Sequence, residues 1–313
     1  MQRVLSTTAL LALLIATAAA FAITERLKLV KSPVFGTLVS KRLSPTCGCA
    51  RATATISFRL RHNDNLTLTI RDRSGRAVDT LVAGNFVKRG RLTYTWDGMT
   101  VYGVRAPDGI YRPEVHLSRE RRTILLPNPI ALDTKPPRVK DVTVSRAVFS
   151  PDGDGRGDVV VIHYRFDSQA RPLVYLGDRR ILFGRSHQAS GHVVLGAAAF
   201  GGALPAGTYL LWIGGRDLAG NVTPQSKRWP VILQVRYIAL PAAPIVVHKA
   251  GADFTVPVST DAKRYWWKFG AKHGVASGQV LKLKAPKAPG TYRLAVGEGK
   301  YTARAQVTVG RAK

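Results

Sequence analysis

The chain has 313 residues, of which 45% are hydrophobic, and its 47 Lys plus Arg against 19 Asp plus Glu give a formal net charge of +28. Enough apolar residues are present to build cores, which excludes a disordered chain. With 2 cysteines it is neither a disulfide-dense scaffold nor a four-ligand structural zinc site. At roughly 100–200 residues per domain, the length allows two or three domains. The basic excess runs through every segment, and residues 234–313 are the most basic, with 14 Lys plus Arg and 3 Asp plus Glu. Such a balance speaks to solubility and to anionic partners such as lipid surfaces, acidic wall polymers or nucleic acid, not to fold. Its plain reading is a solvated basic surface.

After Arg3 the chain carries no charge from Val4 to Thr24. A run of this length reaches the ~20 residues needed to span a bilayer. Ala18-Ala19-Ala20 and Ala20-Phe21-Ala22 also offer small-x-small cleavage patterns. Residues 1–32 are therefore expected to be a signal peptide or a transmembrane signal anchor. The anchor is favoured, because the run outlasts an ordinary h-region of about 7–15 residues. Arg26, Lys28 and Lys31 follow the run, so the positive-inside rule alone does not send the remainder outward.

From there, alternation of period two predicts strands. "ATATISFRL" (Ala52–Leu60), "NLTLTI" (Asn65–Ile70) and "RLTYTW" (Arg91–Trp96) come first. "VVVIHYRF" (Val159–Phe166), "TYLLWIGG" (Thr208–Gly215), "RYWWKF" (Arg264–Phe269), "TYRLAV" (Thr291–Val296) and "ARAQVTV" (Ala303–Val309) follow. Turn clusters such as "RHNDN" and "RSGR" separate them, and 29 Gly and 18 Pro punctuate the chain. Many short strands with frequent turns mean β-sandwiches.

Leu43–Leu60 aligns with Phe149–Phe166 without a gap: Ser44-Pro45 meets Ser150-Pro151, Ile56 meets Ile162 and Arg59 meets Arg165. Each copy then reaches a Pro-x-Gly-x-Tyr, at Pro107–Tyr111 and Pro205–Tyr209, and a third variant, "APGTY", stands at Ala288–Tyr292. In a sandwich, Pro and Gly make the turn and Tyr starts a late strand. The tyrosine ring packs inward while its hydroxyl bonds nearby backbone. Pro136-Pro137 in "LDTKPPRV" reads as a stiff linker between copies.

The stretch holding Gly75, Trp96-Asp97-Gly98, Gly103 and Pro107–Tyr111 resembles the Ig-like domain of flagellar hook-capping proteins and related exported bacterial proteins. "RDLAGN" (Arg216–Asn221) is similar to strand ends in bacterial Ig-like repeats, and "SPDGDGRGD" to the segment that opens such domains on bacterial surfaces. The resemblance implies export and an Ig-like fold; a fold carries no function by itself. The expected architecture is all-β. An N-terminal hydrophobic helix (1–32) precedes three tandem Ig-like β-sandwich domains at 33–133, 134–233 and 234–313.

Asp152, Asp154 and Asp158 alternate along a Gly-rich turn that suits a hard cation such as calcium. Arg156 between them, and His163 where a bidentate Glu would stand, suit instead a solvated turn before a strand. Arg156-Gly157-Asp158 is a tripeptide short enough to arise by chance. Cys47 and Cys49 align with Gly153 and Gly155; a local disulfide is expected, against an intermolecular bridge or two buried thiols. In "RYWWKF", Tyr265, Trp267 and Phe269 share the core face of a strand, and Trp266 and Lys268 face outward. That outward pair either stacks a ligand or is edge packing. The seven His are scattered, Ser186, His187 and His192 form no recognisable triad, and no Walker, Gly-x-Ser-x-Gly or His-Glu-x-x-His motif occurs.

The expectation is thus a non-enzyme of a bacterial envelope, exported and either membrane-anchored through residues 1–32 or secreted. Its modules serve as spacer and binding surface for an anionic wall polymer or a protein partner. No cofactor is expected, with calcium at Asp152, Asp154 and Asp158 as the open alternative, and no specific nucleic acid partner. The competing reading is an accessory polymer-binding subunit for an envelope enzyme.

Overall fold

The computed structural model describes residues 11–22, 31–146, 148–202, 204–299 and 301–311. Residues 11–22 are helical. At ~1.5 Å per residue they reach about 18 Å, short of the ~30 Å of a bilayer core. No helix among the described residues is long and apolar enough to cross a membrane. The rest of the expected leader or anchor, residues 1–10 and 23–30, lies outside the described residues.

The chain divides into two compact units, 1–134 and 135–313. In the first, two sheets face each other. One joins Val34–Val39, Ala54–Leu60 and Gly90–Trp96; the other runs Arg42–Leu43, Ile130–Leu132, Gly109–Leu117, Asp64–Arg71, Ala77–Val87, with Arg122–Leu125 beside Gly109–Leu117. Strand alternation explains why they stack. Ala54, Ile56, Phe58 and Leu60 point inward from one sheet, and Leu66, Leu68, Ile70, Val115 and Leu117 from the other, all buried in one cluster with Trp96.

The second unit holds two further cores. Around the first, Val159–Leu176 is a single long strand. Its opening half pairs with Val139–Val144 and Gln188–Gly196, and its closing half with Gly207–Asp217 and Arg179–Phe183. The register shifts between Arg165 and Ala170, where the strand passes from one layer to the other. In the first unit the equivalent course is broken into Ala54–Leu60 and Asp64–Arg71. The "RDLAGN" turn is locked by the buried Asp217 carboxylate, which accepts Gly220 and Asn221 backbone N–H at 2.7 and 2.8 Å. The last core lies between a five-stranded sheet and a two-stranded one. The first is ordered Ile245–Val247, Tyr301–Val309, Gly290–Glu298, Tyr265–Phe269, Lys272–Ala276; the second pairs Asp253–Pro257 with Val280–Lys284.

The three Gly-Tyr corners share one geometry. Tyr111 Oη donates to Pro107 O at 2.6 Å, Tyr209 Oη to Pro205 O at 3.0 Å, and Tyr292 Oη to Ala288 O at 2.8 Å. Each hydroxyl reaches back to the carbonyl that opens its turn. Tyr111 is the most enclosed of the three, its ring edge-on to Trp96 with centroids 4.9 Å apart. Tyr111→Phe, which removes only the hydroxyl, should lower the urea midpoint of the first unit by the equivalent of about 1 kcal/mol with an unchanged m-value. Tyr209→Phe and Tyr292→Phe, whose bonds are solvent-exposed, should cost less.

Candidate functional site

The loops that open the first two modules close in the same way. Ser44 N–H bonds Arg51 O at 2.8 Å, and Ser150 N–H bonds Gly157 O at 3.0 Å. In the first loop a disulfide joins Cys47 to Cys49 across a Cα–Cα distance of 5.2 Å. In the second, the Asp158 carboxylate accepts Gly153 N–H and Gly155 N–H, each at 2.7 Å. The same two positions are thus bridged by sulfur in one module and by a carboxylate in the other.

Both Asp158 oxygens are therefore engaged with backbone, and the cluster that forms is a different one. Asp152, Asp154 and Glu298 bring carboxylate oxygens within 4.8 Å of one another. Glu298 arrives at the end of strand Gly290–Glu298, from the last module. Beside it, Thr260 Oγ1 donates to Glu298 Oε2 at 3.2 Å, and Arg156 Nη1 reaches Asp261 O at 3.4 Å. Gly157, at φ 61°, has the Asp261 carboxylate directly against it, where any side chain would collide. Tyr237 and Tyr301 stack at 3.7 Å, which closes the contact between the two cores of this unit. Burial first, then the charge of Asp152, with Asp154 and Asp261 adding to it, pushes the Glu298 carboxyl up to about 7. Burial likewise raises Asp152 and Asp261. Four carboxylates converge here in a strongly basic protein, an arrangement that suits a hard cation or a shared proton.

The second candidate surface is the outer face of the last five-stranded sheet. Its register builds two adjacent rows, with Trp266 paired to Val275 and Gly297, Gly297 to Thr302, Lys268 to His273 and Ala295, and Ala295 to Arg304. Arg293 and Gln306 extend the second row's side of the face. Residues opposite in register share a face, so Lys268, His273 and Arg304 form the row beside Trp266 and Arg293 lies one row beyond them, with no acidic residue among them. Trp266 is 39% exposed, and its indole lies over Gly297, where a Cβ would strike the ring. Tyr265 and Phe269 are buried on the other face, and Trp267 lies there against Gly274.

Sequence reading had singled out Trp266 and Lys268 but not Arg293, Arg304 or His273. Counting back from the "GEGK" turn through the hairpin sets Arg304 opposite Ala295 and Arg293 opposite Gln306, on one face of the sheet. Nothing in the local sequence pointed to Glu298 or Asp261, because their place depends on packing between distant segments. Other histidines lie away from this face: His187 Nδ1 accepts Arg171 Nε at 3.4 Å, and His163 sits 5.7 Å from His192, ring to ring.

Residues 44–120 match the family described as FlgD Ig-like domain, so the first unit carries an Ig-like domain of the FlgD type. Among solved structures, an I-band fragment from titin is 12% identical, covering 91% of this chain and 100% of its own, at a TM-score of 0.32. Bacteroides ovatus SGBP-B, from a mixed-linkage glucan utilization locus and in complex with a mixed-linkage heptasaccharide, is 14% identical. It covers 90% of this chain and 69% of its own, at a TM-score of 0.25. FlgD from P. aeruginosa is 18% identical, covering 44% of this chain and 89% of its own, at a TM-score of 0.24. At such TM-scores the superpositions carry no argument about function. The comparison with curated proteins finds no match.

The carboxylate cluster makes stability depend on pH. Glu298 has a folded value near 7 against an ordinary 4.5, so the folded state holds its proton more tightly than the unfolded chain. Its full contribution is present below about pH 4.5 and is lost as pH rises through 7. The raised Asp152 and Asp261 act in the same direction. The melting temperature of the second unit should therefore fall between pH 5 and pH 8. Glu298→Gln should flatten that slope and melt higher than wild type at pH 8, as differential scanning calorimetry would register.

Proposed function

Proceeding from a first unit that carries an Ig-like domain of the FlgD type, we propose that the chain is a non-enzymatic protein of a bacterial envelope. It is exported, with residues 1–32 as leader or membrane anchor, and its modules act as spacer and as binding surface for an anionic cell-wall polymer. The observation that carries this reading is the outer face of the last sheet, where Lys268, His273, Arg304 and then Arg293 run away from one side of an exposed indole and no carboxylate intervenes. A polymer of repeating anions gains from such a face twice. Lys268, Arg293 and Arg304 displace counterions from its charges, and Trp266 stacks on an apolar patch of the chain. The first contribution is screened by salt and the second is not. Calcium at Asp152, Asp154 and Glu298 would relieve the same repulsion that a proton relieves, and so would tie the last two modules together.

Teichoic-type polymer should bind the full chain with an affinity that falls steeply with salt. Arg304→Ala or Arg293→Ala should each reduce the slope of log K against log salt by about 1. Trp266→Ala should remove the part of the binding that survives high salt and leave the slope in place. Affinities equal to wild type in all three variants would overturn the reading. Melting curves in millimolar calcium and in chelator should differ; coincident curves would remove calcium from the account.

A further inference from the structure

In the first unit, residues 97–105 form a finger held from beneath by the Trp-Asp-Gly segment. Trp96 Nε1 donates to Met99 O at 2.8 Å, and Asp97 Oδ1 accepts Met99 N–H at 2.9 Å. Above this, Thr100 N–H bonds Val104 O and Gly103 N–H bonds Thr100 O, both at 2.8 Å, and Val101 N–H bonds Val78 O at 3.0 Å. At the base, Gly98 stands at φ 81°, and a Cβ there would come within 2.8 Å of Pro45. A backbone bonded this completely is preorganised, yet the finger offers its tip to solvent. Val101 is 66% exposed, Tyr102 87% and Val104 59%. Apolar side chains grouped on an ordered projection mark a contact surface rather than a core.

Beside the finger lies a groove of about 710 Å³, whose walls include Tyr102, Thr100, Ser74 and Asp108. A second hollow of about 580 Å³ adjoins it past Ile110 and Arg73, reaching Arg112. These sizes suit a short oligomer of rings. The charges are unevenly committed. Arg71 is bound to Glu114 at 2.7 Å and Arg76 to Asp72 at 2.9 Å. Arg73 and Arg112 have no ion-pair partner among the described residues. Thr100 Oγ1 is shut off from solvent and has no hydrogen-bond partner there.

We infer that this groove binds an acidic oligosaccharide, stacking the C–H face of one sugar on Tyr102 and receiving sugar carboxylates at Arg73 and Arg112. An exposed phenol ring with hydroxyl and carboxylate acceptors around it fits a ligand that is apolar on its faces and hydroxylated at its edges. The two uncommitted guanidinium groups select an anionic sugar over a neutral one, since a planar fork matches a carboxylate. A walled groove of this size admits a chain of rings, whereas a flat anionic lipid surface would meet only the finger's tip. The site is separate from the outer face of the last sheet and stands or falls independently of it.

The test uses the full chain and tetragalacturonate as probe, with maltotetraose as its neutral counterpart, followed by isothermal titration at moderate salt. Tetragalacturonate should bind, and maltotetraose should bind at least tenfold more weakly. Tyr102→Ala and Arg73→Ala should each weaken tetragalacturonate at least tenfold, Tyr102→Trp should restore binding, and Trp266→Ala should leave it unchanged. Because Tyr102 is almost wholly exposed, its replacement should leave the melting temperature in place, which separates lost binding from lost fold. Absence of binding at millimolar probe would overturn the inference. So would equal affinity for both sugars, wild-type affinity in Tyr102→Ala, or loss only in Trp266→Ala. Complete displacement by vesicles of anionic lipid, with the sugar ineffective against the vesicles, would assign the finger to a membrane instead.

Discussion

A tyrosine hydroxyl donated to the carbonyl four residues earlier sets the facing of a late strand in all three modules. The bond ties the first inward ring to the turn before it, so every later residue of that strand inherits its side. After Tyr292, Leu294, Val296 and Glu298 go inward, while Arg293, Ala295 and Gly297 go outward. After Tyr111, Val115 and Leu117 enter the core, and Ile110 and Arg112 line hollows at the surface. A slip of one residue would exchange the two sets, burying arginines and exposing the core. The cationic outer face, the inward carboxylate of Glu298 and the wall of the first-unit groove therefore all follow from one repeated corner.

The second governing feature is the distribution of charge. With a net of +28, most of the surface repels itself mildly, and carboxylates are scarce enough that their grouping matters. Asp152, Asp154, Asp261 and Glu298 meet where two cores of the second unit touch. Their mutual repulsion is relieved by a proton on Glu298, which holds the contact together more firmly in mildly acid solution than in alkaline. Asp158, of the same loop, is held by two amides, and its charge adds to the repulsion felt by Asp261.

Much of this was legible from residue order, and what was not has physical reasons. Period-two runs such as "ATATISFRL" read directly as strands because one face of each must be buried. The Pro-Gly-Tyr recurrence read as a corner because those three residue types each meet a different need of the turn. The alternation in "RYWWKF" separates Trp266 and Lys268 from Tyr265 and Phe269 without any tertiary knowledge. The carboxylate cluster was only half visible. Spacing grouped Asp152 and Asp154 with Asp158, but whether a loop carboxylate turns to a cation or to its own backbone depends on loop conformation. Glu298 joins through contact between modules, which a linear spacing cannot encode. Nor did the sequence pattern show that Val159–Leu176 runs on as one strand where the first unit breaks at Arg61–Asn63; both copies carry polar residues there. The hydrophobic start, by contrast, reads plainly in composition but exceeds the twelve or so helical residues described, ~18 Å of helix.

The central claim is that register concentrates binding on one built face rather than on charge at large. Lysine acetylation rates measured on the full chain, with and without saturating teichoic-type polymer, test it most directly. Lys268 should be protected, together with His273 against a histidine reagent, while the exposed Lys282 and Lys284 of the two-stranded sheet keep their free rates. Equal protection of all these lysines would contradict the account, since it would mean that the polymer reads net charge and not the face that the corner tyrosine sets.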